Sequence, residues 1–167
     1  MQGIQFDYFN VELGIPSFLV KASFQPRGDL LIFVNNLTYI SFYFENIEML
    51  PLGTQFQLKG LKQPGMTINR GAIAFMSIVD ESSMAKMQFL ASKRTIVCYT
   101  EWFAIRGDLH VNNETPNENL FDDKYEFFPL TDAKIYPLQK MMVKPTPQVP
   151  ALLLNRRAIL SYHIHHE

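Results

Sequence analysis

Four short segments in the first half of this chain return in the second half in the same order. Arg27-Gly28-Asp29-Leu30 returns as Arg106-Gly107-Asp108-Leu109, and Val34-Asn35-Asn36 as Val111-Asn112-Asn113. Glu48-Met49-Leu50-Pro51-Leu52 returns as Glu126-Phe127-Phe128-Pro129-Leu130, and Ile68-Asn69-Arg70-Gly71-Ala72-Ile73 as Leu154-Asn155-Arg156-Arg157-Ala158-Ile159. The first three pairs lie 79, 77 and 78 residues apart (27 to 106, 34 to 111, 48 to 126), the fourth 86 apart (68 to 154). Ordered echoes at a nearly constant period mean one small unit built twice. The larger last offset predicts an insertion of about eight residues within 136–150, where Pro137, Pro145, Pro147 and Pro150 mark an irregular loop.

Each copy reads as a series of short strands. In the first, 17–24 is a strand ending in a turn at 25–29. Residues 47–58 alternate apolar positions with a break at Gly53, a turn follows at 62–65, and 66–79 mixes alternation with apolar pairs as a bulged strand pair does. The second copy runs as strands over 95–105, 125–136, 151–155 and 158–164. Segments 37–44 and 117–121 suit short helices, and 80–92 suits a linker with a helical turn or two. The load of 14 Phe, 7 Tyr and 1 Trp favours strands. The expected fold is therefore all-β, two tandem small barrels of the SH3-like kind over residues 1–85 and 90–167, with minor short helices.

Charge narrows the partners. A formal net charge of -1 lacks the positive excess that a nucleic-acid backbone usually selects, although a local patch can sit inside a neutral total. Neither a basic-plus-apolar export signal nor a run of about 20 apolar residues is present, so a cytoplasmic protein with no membrane partner is expected. Cys98, the single cysteine, lies in the apolar run 95–99 and reads as a small buried hydrophobe.

At Ile68-Asn69-Arg70-Gly71-Ala72-Ile73 the chain resembles the second signature of the Sm/Lsm family: an apolar residue, a variable one, Arg-Gly, then alternating apolar positions. The second copy has Arg157 where that glycine stands, and is closer to the bacterial branch and to uncharacterised bacterial Sm-like proteins. The resemblance covers about a dozen residues per half, and the family's first signature, an apolar strand ending near an Asp and Asn pair, has no clear counterpart. It implies five-stranded Sm-like barrels joined edge to edge in rings, here a homo-oligomer of three duplicated chains. It also implies an RNA-facing loop at Asn69 and Arg70 in one copy and Asn155 and Arg156 in the other. The same residues have a structural reading: an Asn that caps a turn, and an Arg paired with an acid such as Asp29 or Asp108.

Other constellations are sparse. His163 and His165 fall on one face of a strand and would suit zinc or nickel with a third ligand from His166, Glu167 or another subunit. Against this stands the ordinary fraying of a polar chain end. Asp80-Glu81 and Asp122-Asp123 read as solvated loop acids, Ser82, Ser83 and Ser161 have no nucleophile elbow around them, and no glycine cluster suits a phosphate. The sequence thus points to a non-enzymatic binding or scaffold protein without a cofactor, with RNA or protein as partner. A metal-binding protein or metal-dependent enzyme built on the C-terminal histidines, and a purely structural assembly protein, are the alternatives.

Overall fold

The computed structural model describes residues 3–122 and 124–166. Among them the chain folds as ten strands: β1 (Phe9–Ile15), β2 (Phe18–Phe24), β3 (Ser41–Pro51), β4 (Leu61–Asn69), β5 (Phe75–Ile78), β6 (Lys93–Tyr99), β7 (Phe103–His110), β8 (Phe127–Pro137), β9 (Gln148–Asn155) and β10 (Ser161–Ile164). Two short helices, α1 (Leu30–Val34) and α2 (Glu81–Met84), and 3-10 turns at Arg70–Ala72, Asn117–Asn119 and Arg156–Ala158 complete it. No helix is long and apolar enough to cross a membrane.

All neighbouring strands pair antiparallel in one sheet of order β10-β6-β7-β8-β9-β5-β1-β2-β3-β4. That order is two identical runs. In each half the fifth strand flanks the first, followed by the second, third and fourth. The halves join where β5 pairs with β9.

Details repeat as well. A bulge interrupts β2 against β3 between Lys21 and Ser23, and β7 against β8 between Arg106 and Asp108. Asn46 and Asp132 both take positive φ (54° and 48°) in the middle of the third strand. Each drops out of the pairing opposite a proline, Pro64 and Pro150 in turn, so the missing proline N–H breaks no ladder bond.

These equivalences correct the spacing read from the sequence. Val20 corresponds to Ile105 (85 apart), and from the third strand onward every pair is 86 apart, as Asn46 to Asp132 or Asn69 to Asn155. Only the fourth echo is in register. Arg27-Gly28-Asp29-Leu30 leads into α1, with the Asp29 carboxylate accepting from the Ile32 N–H, whereas Arg106-Gly107-Asp108-Leu109 lies within β7. No eight-residue insertion exists between β8 and β9: the β3–β4 and β8–β9 connections are 52–60 and 138–147. The single-residue offset arises between the second and third strands.

Four local expectations fail for identifiable reasons. Residues 41–44 begin β3, not a helix, because Phe42 and Phe44 alternate inward against Phe24. Residues 62–65 run through β4, since Pro64 faces the Asn46 irregularity and needs no turn. The segment after Gly53 forms no further strand over 54–60. The run 95–105 is a hairpin, not one strand, bent at 100–102 where the Thr100 hydroxyl accepts from the Phe103 N–H.

Two apolar clusters result. One gathers Phe9, Leu13, Phe24, Phe42, Phe44 and Met76 from the first half, with Phe127, Ala151 and Leu153 from the second. The other gathers Ile96, Ile105, Leu130 and Leu152 from the second half, with Leu19, Leu52 and Phe75 from the first. Each fully buried large apolar side chain contributes about 2 kcal/mol, so exchange across the joint ties the halves together.

Candidate functional site

Several buried polar side chains, among them Arg70, Glu126 and Asn155, gather at the joint between the halves. Along it Phe75 faces Leu154, Met76 Leu153, Ser77 Leu152 and Ile78 Ala151. The strand pairing continues into the turn, where the Asn155 N–H donates to the Ala74 carbonyl at 2.9 Å. Asn155, 1% exposed, also donates from Nδ2 to the Ile73 carbonyl (2.9 Å) and accepts at Oδ1 from the Arg157 N–H (2.9 Å).

Beside it the Glu126 carboxylate is buried between two guanidinium groups. Arg70 Nε approaches one oxygen at 2.9 Å and Arg157 Nε the other at 2.9 Å. Arg70 is 8% exposed and its Nη1 donates to the Asn36 carbonyl at 2.7 Å. Asn35 fastens the same segment, accepting from the Glu126 and Phe127 N–H groups and donating to the Phe127 carbonyl. On the far side of the joint, Glu12 of β1 accepts from the backbone N–H and hydroxyl of Thr146 in the β8–β9 connection. A buried carboxylate is tolerated only where donors surround it, as they do here.

The four residues expected at a ligand loop therefore separate into two environments. Arg70 and Asn155 face the joint and are committed to it. Asn69 is exposed and its side chain caps no backbone group in the following turn. Arg156 is half-buried. The acid that pairs with Arg70 is Glu126, in place of Asp29, which caps α1, or Asp108, which accepts from Thr95 and Lys93. Sequence reasoning missed Glu126 and Asn35 as functional partners, because they meet Arg70 only through the pairing of distant strands.

An open pocket of about 250 Å³ lies between the two Asn-Arg turns. Gly71 and Ala72 line one side, Arg157 and Ala158 the other, and the half-buried Trp102 ring stands at its wall. A planar ring on an open pocket suits stacking of a flat group, with Glu101 and the Arg157 guanidinium, itself paired with Glu126, on the same lining.

The remaining candidates are placed as follows. His163 lies on β10 with Nε2 3.0 Å from the Tyr99 hydroxyl, and the His165 N–H donates to the Thr95 carbonyl. Glu167 and Asp123 lie outside the described residues. Among those described, no three His, Cys, Asp or Glu side chains gather where they would hold a metal ion. Asp80 accepts from Asn10. Burial pushes the Cys98 thiol up to about 12, so it stays protonated and inert at neutral pH.

Comparison with protein-family models, with curated proteins and with solved structures gives no match.

Proposed function

We propose that this chain is a non-enzymatic, self-assembling scaffold of the Sm-like type whose Asn-Arg turns present a binding site for single-stranded RNA. The observation that carries the reading is the repeated strand order, with one joint built inside the chain and matching edges left at its two ends. A five-stranded unit that met each further neighbour through the same two strands would be a building block for rings. Following the family resemblance, three chains would supply six units.

For the ligand, the pocket beside Trp102 and Arg157 offers a stacking wall and a positive group, the combination that holds unpaired bases without reading their sequence. Since Arg70 and Asn155 are enclosed in the joint, contact with phosphate would fall to the exposed Asn69 and to Arg157, whose guanidinium stays exposed while its Nε pairs with Glu126. Binding of a short single-stranded RNA to the native protein, followed by fluorescence anisotropy across a salt series, tests this. The expected outcome is measurable affinity that falls with salt and weakens about tenfold or more in Trp102→Ala. Absence of binding at low salt removes RNA and leaves a protein partner or a structural role.

A further inference from the structure

The first half holds a cleft of about 380 Å³ where the end of β2, α1 and the start of β3 meet. It shares no lining residue with the pocket between the Asn-Arg turns. Strand alternation builds its walls. Ser23 and Gln25 flank the inward Phe24, Glu45 lies directly across from Ser23, and Tyr43 follows two residues along on the same face. From α1 comes Phe33, stacked on Tyr39 with ring centroids 4.7 Å apart. Two opposite charges, Arg27 and Glu45, stand on this aromatic lining.

The fold uses neither charge. Among the described residues the side chains of Arg27 and Glu45 have no ion-pair or hydrogen-bond partner. Arg27 is exposed, but Glu45 is half-buried, and a carboxylate partly withdrawn from water is ordinarily matched by a donor.

The second half shows the same place with its polar groups satisfied. Strand equivalence carries Gln25 to His110 and Arg27 to Asn112, then Tyr39 to Tyr125, Tyr43 to Pro129 and Glu45 to Thr131. His110, Asn112, Tyr125 and Pro129 line a cleft of about 730 Å³ there, and its lining holds no Asp, Glu, Lys or Arg. The neutral His110 ring donates from Nδ1 to the Leu90 carbonyl at 2.7 Å, which leaves Nε2 to accept from the Thr131 hydroxyl at 2.8 Å. Gln25 makes the matching bond, from Nε2 to the Phe6 carbonyl at 3.0 Å, and none to Glu45. One copy of the unit thus folds without either charge.

We infer that the cleft of the first half binds a small zwitterion, an α-amino acid with an aromatic side chain. The carboxylate of the ligand meets the Arg27 guanidinium, whose fork suits it. Its ammonium meets Glu45 beside the ring faces of Tyr39 and Tyr43, and its side chain packs on Phe33. Each charge argues against a simpler ligand, because a phosphate would meet Glu45 and a plain alkylammonium would meet Arg27. A volume of about 380 Å³ is room for one such molecule. The inference is independent of assembly and of RNA.

Amide chemical shifts of the isotope-labelled full chain, titrated with three compounds, test it. These are L-phenylalanine, phenethylamine, which lacks the carboxylate, and phenylpropionate, which lacks the ammonium. L-Phenylalanine should bind with a Kd on the order of 1 mM or tighter, and the other two about tenfold more weakly or worse. Shifts should gather at Arg27, Tyr39 and Glu45, and spare Asn112, Tyr125 and Thr131. Arg27→Gln should abolish the preference over phenethylamine and keep that over phenylpropionate, while Glu45→Gln should do the reverse. Because neither side chain has a partner, both variants should keep the wild-type urea midpoint. Four results overturn the inference: no shift with L-phenylalanine up to about 10 mM, equal affinity for the three compounds, a preference that survives both substitutions, or a midpoint that falls in either variant, which would give the charge a role in the fold.

Discussion

The two Asn-Arg turns share four of six residues and the same 3-10 turn, yet only parts of each are buried. In the first turn the arginine is enclosed and the asparagine exposed, and in the second the asparagine is enclosed and the arginine half-buried. The difference comes from which neighbour is present. The internal joint is contacted by the arginine of one unit and the asparagine of the next, so a single joint encloses Arg70 and Asn155. Asn69, exposed, and Arg156, half-buried, are the corresponding residues outside that joint.

Breaking the internal joint at its carboxylate should have the largest effect. Glu126→Ala leaves Arg70 buried without its acid and removes the partner of Arg157. The expected loss is about 3 kcal/mol of stability, read from the urea midpoint. Ile40→Glu at the corresponding position of the first half should cost the isolated chain little, because that site is exposed. Equal losses at the two positions would show that the joint does not distinguish them.

How much of this was readable beforehand follows from the same contrast. The Asn-Arg turn imposes a local requirement, so its sequence recurs in true register at 68–73 and 154–159. The Arg-Gly-Asp echo imposed none: Gly107 is needed on β7 because a side chain there would crowd Leu130 and Thr131, while Gly28 turns the chain ahead of α1 with positive φ. Strand β1 was legible, since Phe9, Val11, Leu13 and Ile15 alternate with Asn10, Glu12 and Gly14, but the burial of Glu12 was not, because its partner Thr146 lies far along the chain. The all-β class and the linker near α2 were visible in composition and pattern. The β5–β9 joint and its Glu126 were not, because they depend on pairing between segments in opposite halves.

A subtler comparison uses the asparagines. Asn155→Ala removes a buried donor to the Ile73 carbonyl and the acceptor for the Arg157 N–H, and should cost about 2 kcal/mol. Asn69→Ala, at the matching open position, should change the stability of the monomer by less than about 0.5 kcal/mol. If the chain assembles as proposed, the same substitution should cost more at concentrations where chains are joined. Thermal unfolding of both variants at low and high protein concentration separates these terms.

The smallest effect is expected at the bulge, where the halves differ by one charge. Ser23 on β2 corresponds to Asp108 on β7, so the first half carries a neutral hydroxyl where the second carries a carboxylate. Burial alone would raise the Asp108 pKa, but hydrogen bonds from Thr95 and Lys93, with the positive charge of Lys93, bring it below its ordinary value of 3.8. A carboxyl with a depressed pKa in the folded state adds stability that is present above its unfolded pKa. That contribution disappears as pH falls through the folded value, because the folded state resists the proton that the unfolded chain accepts. Asp108→Ser makes the second bulge resemble the first, and should flatten the decline in urea midpoint below about pH 4 while leaving a small, constant loss at neutral pH. Since Lys93 is largely exposed, the neutral-pH loss should shrink further in high salt. An unchanged acid slope in this variant would mean that the ion pair is not formed in solution, and that the two bulges are equivalent in energy as well as in shape.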